Sequence, residues 1–103
     1  MPAKIYRIYV GARNTPERTI LHDDDEIIRN TMKRYFKGWT IQEAEGIWND
    51  DEEETRIIGV TADPTNYAVG AGKTPLKSCV AQLKNDMKQM AVMVEAGGLI
   101  SML

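Results

Sequence analysis

The sequence predicts a small α+β domain in which the elements follow the order β-α-β-β-α-β. Short runs rich in β-branched and aromatic residues indicate the strands, apolar residues at helical spacing indicate two helices, and an acidic turn separates the second and third strands. The chain has 103 residues, enough for one hydrophobic core and too few for two. We therefore expect a single domain over residues 1–103.

The first strand is predicted at residues 4–11, KIYRIYVG. Side chains alternate between the two faces of a strand, so Ile8 and Val10 share an apolar face. The other face carries Arg7 and Tyr9 and mixes charge with aromatic surface. We expect this second face not to be sealed in the core.

The first helix is predicted at residues 23–38, DDDEIIRNTMKRYFKG. Acidic residues crowd its first turn, where they complement exposed N–H groups and the helix macrodipole, and Gly38 ends it. The apolar residues that recur at helical spacing are Ile27, Ile28, Met32, Tyr35 and Phe36. This pattern is typical of an amphipathic helix.

A hairpin is predicted next, with strands at residues 39–49 and 55–62 joined by the acidic turn Asp50–Glu54. An acidic run of this kind is usually a solvated turn, and a functional interpretation of it requires a cationic ligand. The spacing lacks the pattern of a calcium-binding EF-hand loop, so we expect no metal site there.

The second helix is predicted to begin with Thr74 as N-cap and Pro75 at the first helical position, and to run to Met87. Residues 89–95 fit either a continued helix or a fourth strand. The two valines in this segment and the matching lengths of the two helices favour the strand. The apolar tail LISML, residues 99–103, is predicted to be either a core plug or an intersubunit contact.

Two strand–helix–strand halves joined by a hairpin form a ferredoxin-like sandwich. We expect both helices on one face of a four-stranded antiparallel sheet, which leaves the opposite face, here called the open face, uncovered. Strand alternation places the following residues there: Arg7, Tyr9, Glu53, Thr61 and Glu95. The open face is then either an ordinary solvated surface or a site with acidic groups on apolar ground.

Composition argues against several classes of function. The formal net charge is −2 and Lys and Arg are scattered, so a nucleic-acid partner is not expected. No segment has the pattern of an export signal or a membrane span, and a cytoplasmic location is expected. Because Cys79 and His22 are the single residues of their types, an internal disulfide framework and a Cys-based zinc cluster are excluded.

Three other features have ordinary explanations. The GAGKT run at residues 70–74 lacks the first glycine of a Walker phosphate loop, because Tyr67 stands in that position, so a loop before a capped helix is expected. Cys79 lies on the apolar face of its helix and is expected to be a packed thiol rather than a nucleophile. Of Trp39 and Trp48, one is expected in the core, and the other is a candidate stacking platform at a pocket.

The stretch Gly38–Val60, GWTIQEAEGIWNDDEEETRIIGV, resembles the central hairpin of the bacteriophage S-adenosylmethionine lyases, long called SAM hydrolases. The family pattern is a Gly-aromatic start, an acidic mid-strand residue, a Gly-x-aromatic and a Glu-x-Thr. The matching residues here are Gly38-Trp39, Glu43 or Glu45, Gly46-Ile47-Trp48 and Glu53-Glu54-Thr55. A second stretch, residues 88–98 (KQMAVMVEAGG), resembles the last core strand of the family and places Glu95 at its end.

This resemblance implies a homotrimer of ferredoxin-like subunits that holds S-adenosylmethionine between neighbouring chains. It implies a reaction without metal or cofactor, in which the carboxylate of the substrate attacks its own γ-carbon, expels methylthioadenosine and leaves homoserine lactone. The enzyme would fold the methionine moiety into an attack geometry and exclude water. The substrate carries positively charged sulfonium and ammonium groups, which acidic side chains on the open face would bind.

The resemblance also implies site residues. Glu53 would be the principal catalytic carboxylate and hold the amino group of the substrate, with Glu95 as a second catalytic carboxylate. Trp48 stands where the family has a tyrosine, and an indole donates a hydrogen bond but cannot accept one. Glu54, in the same motif, is a further candidate substrate-binding residue, whereas Arg7 and Tyr9 are candidates from strand alternation and not from the resemblance.

Two other functions are open at this point. The chain is alternatively a non-catalytic oligomer that binds a small ligand, such as a nucleotide derivative, at its subunit interfaces. It is also consistent with a protein-interaction module that uses the open face and the LISML tail to bind a partner protein. Turnover of S-adenosylmethionine separates the first function from both alternatives.

Overall fold

The computed structural model describes residues 4–12, 20–48, 50–89 and 91–103, with the backbone alone at Trp48. Its elements are β1 (Ile5–Gly11), α1 (His22–Tyr35), β2 (Thr40–Trp48), β3 (Asp51–Thr61), α2 (Pro75–Asp86), β4 (Met93–Ala96) and β5 (Leu99–Met102). The first six elements follow the predicted order. Of the strand predicted at residues 89–95, residues 93–95 are confirmed as strand rather than helix, because β4 begins at Met93.

The sheet has five strands in the order β2-β3-β1-β4-β5, and each neighbouring pair is antiparallel. The predicted number of four strands is wrong because the LISML tail forms β5. Gly97 and Gly98 have φ values of 56° and 82° and join β4 to β5 in a two-residue connection. Positive φ at both central residues is what a tight hairpin turn requires, so the two glycines reverse the chain as well as ending a strand.

The prediction of a core plug for the tail is also wrong. All four residues of β5 are exposed, and Leu99 and Ile100 have relative accessibilities of 77% and 64%. The strand lies at one edge of the sheet and bonds only to β4 among the described elements. The intersubunit contact of the tail stays a prediction.

The acidic run is strand rather than turn over most of its length. β3 begins at Asp51, which pairs with Trp48, so the segment predicted as a turn contributes four residues to the hairpin. Asp50 keeps a turn conformation with φ of 67°. Charged side chains are tolerated in this strand because its outer end is solvated, as the exposed Glu52 illustrates.

The helix ends differ from the predictions in two details. α1 has the expected acidic first turn but ends at Tyr35, before Gly38. α2 has Pro75 at its start as predicted, whereas the Thr74 side chain makes no capping hydrogen bond. Within the described part of the chain, no helix is long and apolar enough to cross a membrane.

The apolar side chains of both helices and of the sheet form one core cluster. The sheet contributes Ile8, Val10, Ile58, Val60 and Val94 to a single core cluster. The helices contribute Ile28, Met32, Cys79, Val80 and Leu83. Strand alternation therefore holds in β1, β3 and β4, because alternate residues of these strands enter this core.

One charged residue also lies on the helix side of the sheet. Arg56 on β3 is 7% exposed, and its guanidinium binds the Asp25 carboxylate on α1 through Nε–Oδ1 (3.0 Å) and Nη2–Oδ2 (3.2 Å). The hydrogen bond with Asp25 raises the pKa of Arg56 above its usual value, against the opposing effect of burial. This two-point ion pair ties α1 to the sheet.

Cys79 is fully buried, and its Sγ lies 3.5 Å from Sδ of Met32. Burial raises the pKa of the Cys79 thiol to about 12, so the reactive thiolate is scarce at neutral pH. The native protein should therefore react with iodoacetamide at pH 8 at least 100-fold more slowly than the urea-unfolded chain, measured by mass spectrometry. Rapid stoichiometric labelling of the native protein would contradict this buried position.

Candidate functional site

The open face of the sheet carries a pocket of about 450 Å³. Tyr9 of β1 and the β3 residues Thr55 and Ile57 lie in it, and Met93 of β4 and Met102 of β5 contribute to its lining. All five strands take part, since Ala44, Glu45 and Gly46 of β2 complete that side. The volume lies within the roughly 300–1,000 Å³ typical of small-molecule sites. The lining is mainly apolar and also includes the two acidic residues Glu45 and Glu53. This pocket therefore suits an organic ligand that carries a positive charge.

Glu53 and Gly11 define one end of the pocket. Both residues line it, and Gly11 pairs with Thr55 across the β1–β3 ladder. A Cβ atom built at Gly11 would overlap Oε1 of Glu53, so the carboxylate lies directly over the glycine. The missing side chain at Gly11 is thus what allows the Glu53 carboxylate to occupy this end of the site.

Thr55 contributes a buried hydroxyl at the same end. The residue is 8% exposed, and its Oγ1 has no hydrogen-bond partner among the described residues. Leaving a buried polar group unpaired costs about 1–3 kcal/mol. A ligand in the pocket would offer this hydroxyl a partner.

Tyr9, Arg7 and Glu95 form a second polar group on the open face. The Tyr9 hydroxyl and Nη1 of Arg7 each lie 3.4 Å from Oε1 of Glu95. Burial, followed by the charge of Glu95, raises the pKa of Tyr9 above its usual value, so the phenol stays protonated and donates. Since Tyr9 also lines the pocket, it links the Glu95 carboxylate to the site.

The structure brings most of the predicted site residues together. Glu53 and Tyr9 line the pocket, while Arg7 and Glu95 adjoin it through Tyr9. The prediction for Trp48 concerns a side chain that lies outside the described part of the structure. Thr61 lies apart, in a shallow depression at the other end of β3.

Glu54 is the predicted substrate-binding residue that the structure does not bring to this pocket. Strand alternation turns it to the face opposite Glu53, and its Oε2 accepts a hydrogen bond from the Ile20 N–H at 2.7 Å. It shares that side of the sheet with the buried Arg56. The contact with Ile20 gives Glu54 a structural role at the start of α1.

Several pocket residues were not predicted from the sequence. Glu45 appears only as one of two candidates for the acidic position of the hairpin motif, and it is the one that lines the pocket. Gln89 and Gly11 carry no local signal, because their role depends on how the end of α2 approaches β1. Among the described residues, no three His, Cys, Asp or Glu side chains converge in a way that could hold a metal ion.

The fold and its pocket define a class: an α+β sandwich with two helices and an antiparallel sheet that carries a small-molecule-sized cavity. No protein-family model matches the chain, and no curated protein matches it. Among solved structures, the chain resembles a phage SAM lyase in complex with S-methyl-5′-thioadenosine. The TM-score is 0.69 at 15% identity, over 98% of this chain and 88% of that one.

A second solved structure, a phage SAM lyase in the apo state, gives the same result. Its TM-score is 0.60 at 17% identity, with 96% of this chain and 84% of that one covered. At such low identities the likeness establishes a common fold. It agrees with the resemblance noted in the two sequence stretches, which include Glu53 and Glu95.

Proposed function

We propose that the protein is an S-adenosylmethionine lyase that cleaves its substrate in the open-face pocket. The observation that carries this proposal is the Glu53 carboxylate at one end of a largely apolar cavity, in a fold shared with phage SAM lyases. One of those lyases holds S-methyl-5′-thioadenosine, which would be a product of this reaction. A sulfonium substrate with an ammonium group suits a site of this chemistry.

The reaction needs no external nucleophile. A carboxylate oxygen of the substrate forms a bond to its own γ-carbon as the bond from that carbon to sulfur breaks, and the electron pair moves to sulfur. The sulfonium becomes the neutral thioether of methylthioadenosine, and the amino acid part becomes homoserine lactone that keeps its ammonium group. No proton is gained or lost, so the site needs no general acid or base for this step.

The protein therefore acts by positioning. Glu53 would anchor the ammonium group, which keeps its charge throughout, and so hold the methionine chain in the folded form required for ring closure. The apolar lining, including Ile57 and Met93, would surround the γ-carbon and sulfur and exclude competing water. The phenol of Tyr9, hydrogen-bonded to Glu95, would form the polar border of the site.

The pocket is open on one side in a single chain, whereas exclusion of water requires a cover. We infer that the cover is a second copy of the chain, in keeping with the homotrimer expected from the resemblance. The exposed apolar residues of β5 border Met102 at the pocket and would extend such a contact. A trimeric mass by light scattering would support this assembly. A monomeric mass would contradict it, because no second copy would then cover the pocket.

The central experiment is incubation of the purified protein with S-adenosylmethionine at pH 7.5, followed by chromatography for methylthioadenosine and homoserine lactone. We expect equal amounts of the two products and a rate proportional to protein concentration. A blank without protein is required, because the same intramolecular attack proceeds slowly in solution. Binding without turnover would favour a non-catalytic ligand-binding protein, and absence of binding would favour an interaction module. Either result contradicts the lyase proposal.

A further inference from the structure

Gln89 is held against the end of the pocket by three hydrogen bonds. Its backbone N–H donates to the Lys84 carbonyl at 2.9 Å, just beyond the end of α2. Its side-chain Nε2 donates to the carbonyl oxygens of Ala12 and Met87, both at 3.0 Å. The side chain therefore joins the end of α2 to the end of β1 and has little freedom to turn.

This arrangement fixes which end of the amide faces the pocket. An amide nitrogen carries two hydrogens, and here both are directed to backbone carbonyl oxygens. The reversed amide would set an oxygen against two carbonyl oxygens, which repel it. The acceptor atom of Gln89, Oε1, must consequently point away from Ala12 and Met87.

Oε1 of Gln89 points to the same place as the Glu53 carboxylate. It lies 3.3 Å from the position that a Cβ of Gly11 would occupy, and Oε1 of Glu53 overlaps that position. All three residues line the pocket. Two acceptor oxygens, one charged and one neutral, thus meet over Gly11 within reach of a single small donor group.

We propose that Gln89 is a substrate-binding residue whose Oε1, together with the Glu53 carboxylate, accepts hydrogen bonds from the α-ammonium group of the substrate. An ammonium group has three donors and no acceptor, which matches a place where two acceptors converge. Hydrogen bonds from a cationic nitrogen to such oxygens are short, about 2.7–2.9 Å for a carboxylate, and stronger than neutral ones. The inference rests on the proposed function and names the end of the pocket that receives the amino acid.

Gly11 is the residue that makes this acceptor pair possible. It is an extended strand residue whose φ is not positive, so alanine fits the backbone there. A methyl group at Gly11 would displace the flexible end of Glu53 and press on Gln89 without entering the core. Gly11→Ala thus perturbs the acceptor pair while it leaves both acceptor residues in the chain.

The test compares S-adenosylmethionine with its deaminated analogue, in which hydrogen replaces the α-amino group. Dissociation constants by calorimetry, and kcat/KM where turnover occurs, are measured for wild type, Gln89→Met and Gly11→Ala. We expect each variant to bind S-adenosylmethionine about 10-fold more weakly, as befits loss of a hydrogen bond to a charged group, and to bind the analogue as wild type does. Gln82→Met, a matched substitution on α2 where Gln82 bonds to Asp86, should leave both constants unchanged.

The outcomes separate this inference from the lyase proposal. If Gln89→Met and Gly11→Ala weaken the binding of both ligands equally, the role of Gln89 is purely structural. That result would overturn the inference about Gln89 and leave the lyase proposal unaffected. A wild type that binds S-adenosylmethionine without cleaving it would overturn the lyase proposal, while the affinity comparison still decides the role of Gln89. A wild type that binds neither compound would overturn both.

Discussion

Replacing Glu53 by glutamine should lower kcat/KM for cleavage of S-adenosylmethionine about 10²-fold or more, the typical result of misplacing a reacting group by about 1 Å. The substitution keeps the size of the side chain and removes its charge, so the ammonium group loses its anionic partner. The fold should be little affected, with a change in unfolding free energy within about 1 kcal/mol, because Glu53 lies at a solvated end of the sheet.

The expected loss follows from how charge moves in the reaction. The sulfonium loses its positive charge as the carbon–sulfur bond breaks, so a carboxylate beside sulfur would stabilise the substrate more than the transition state. A carboxylate at the ammonium group keeps its interaction throughout and fixes the geometry of attack. We therefore expect the variant to lose both affinity and turnover, with KM raised and kcat lowered.

Glu52→Gln is the matched control. Glu52 is the preceding residue of β3, points to the other face and is exposed, so the same chemical change there should leave kcat/KM within a factor of two of wild type. Product formation by chromatography and unfolding in urea measure the two effects. Wild-type activity in Glu53→Gln, or equal losses in both variants, would remove Glu53 from the site.

Strand alternation was the most productive sequence rule for this protein. The period of two is strict once a strand is placed, so the positions of Arg7, Tyr9, Glu53 and Glu95 on the open face followed directly and agree with the structure. Glu54 is a candidate only through the short motif, and strand alternation argues against it. The structure follows the rule, because the Glu54 side chain lies on the face opposite Glu53 and accepts a hydrogen bond from the Ile20 N–H.

The missed features depend on contacts between distant parts of the chain. Gln89 reaches the pocket because the end of α2 lies beside Ala12, and no local pattern reports such an approach. β5 is not predicted because a Gly-Gly pair in a sequence is equally typical of the end of a strand, whereas Gly97 and Gly98 take positive φ and form a hairpin turn. Once the turn forms, the tail pairs with β4 through backbone N–H and C=O groups. This pairing depends little on the side chains, so the sequence gives no clear signal of it.

The Asp25–Arg56 ion pair should be the most costly polar contact to break. Asp25→Asn leaves the buried guanidinium of Arg56 without its main anionic partner, and we expect the free energy of unfolding to fall by about 2–3 kcal/mol. Among the other carboxylates near Arg56, Glu43 lies 3.9 Å from Nη2 and is 85% exposed, so it compensates weakly, and Glu54 has a smaller effect on Arg56 than Glu43. Urea denaturation at 25 °C measures the change.

Asp23→Asn provides the control, because Asp23 shares the first turn of α1 with Asp25 and is exposed. That variant should lose only the interaction of a carboxylate with the helix dipole, about 0.3–1 kcal/mol. Combining Asp25→Asn with Arg56→Met should recover part of the loss, since an apolar pair avoids a buried unpaired charge. Equal unfolding free energies for Asp25→Asn and Asp23→Asn would show that the ion pair stabilises the fold no more than an exposed carboxylate in the same turn does. The linkage of α1 to the sheet would then rest on the apolar core and on the hydrogen bond from the Ile20 N–H to Glu54.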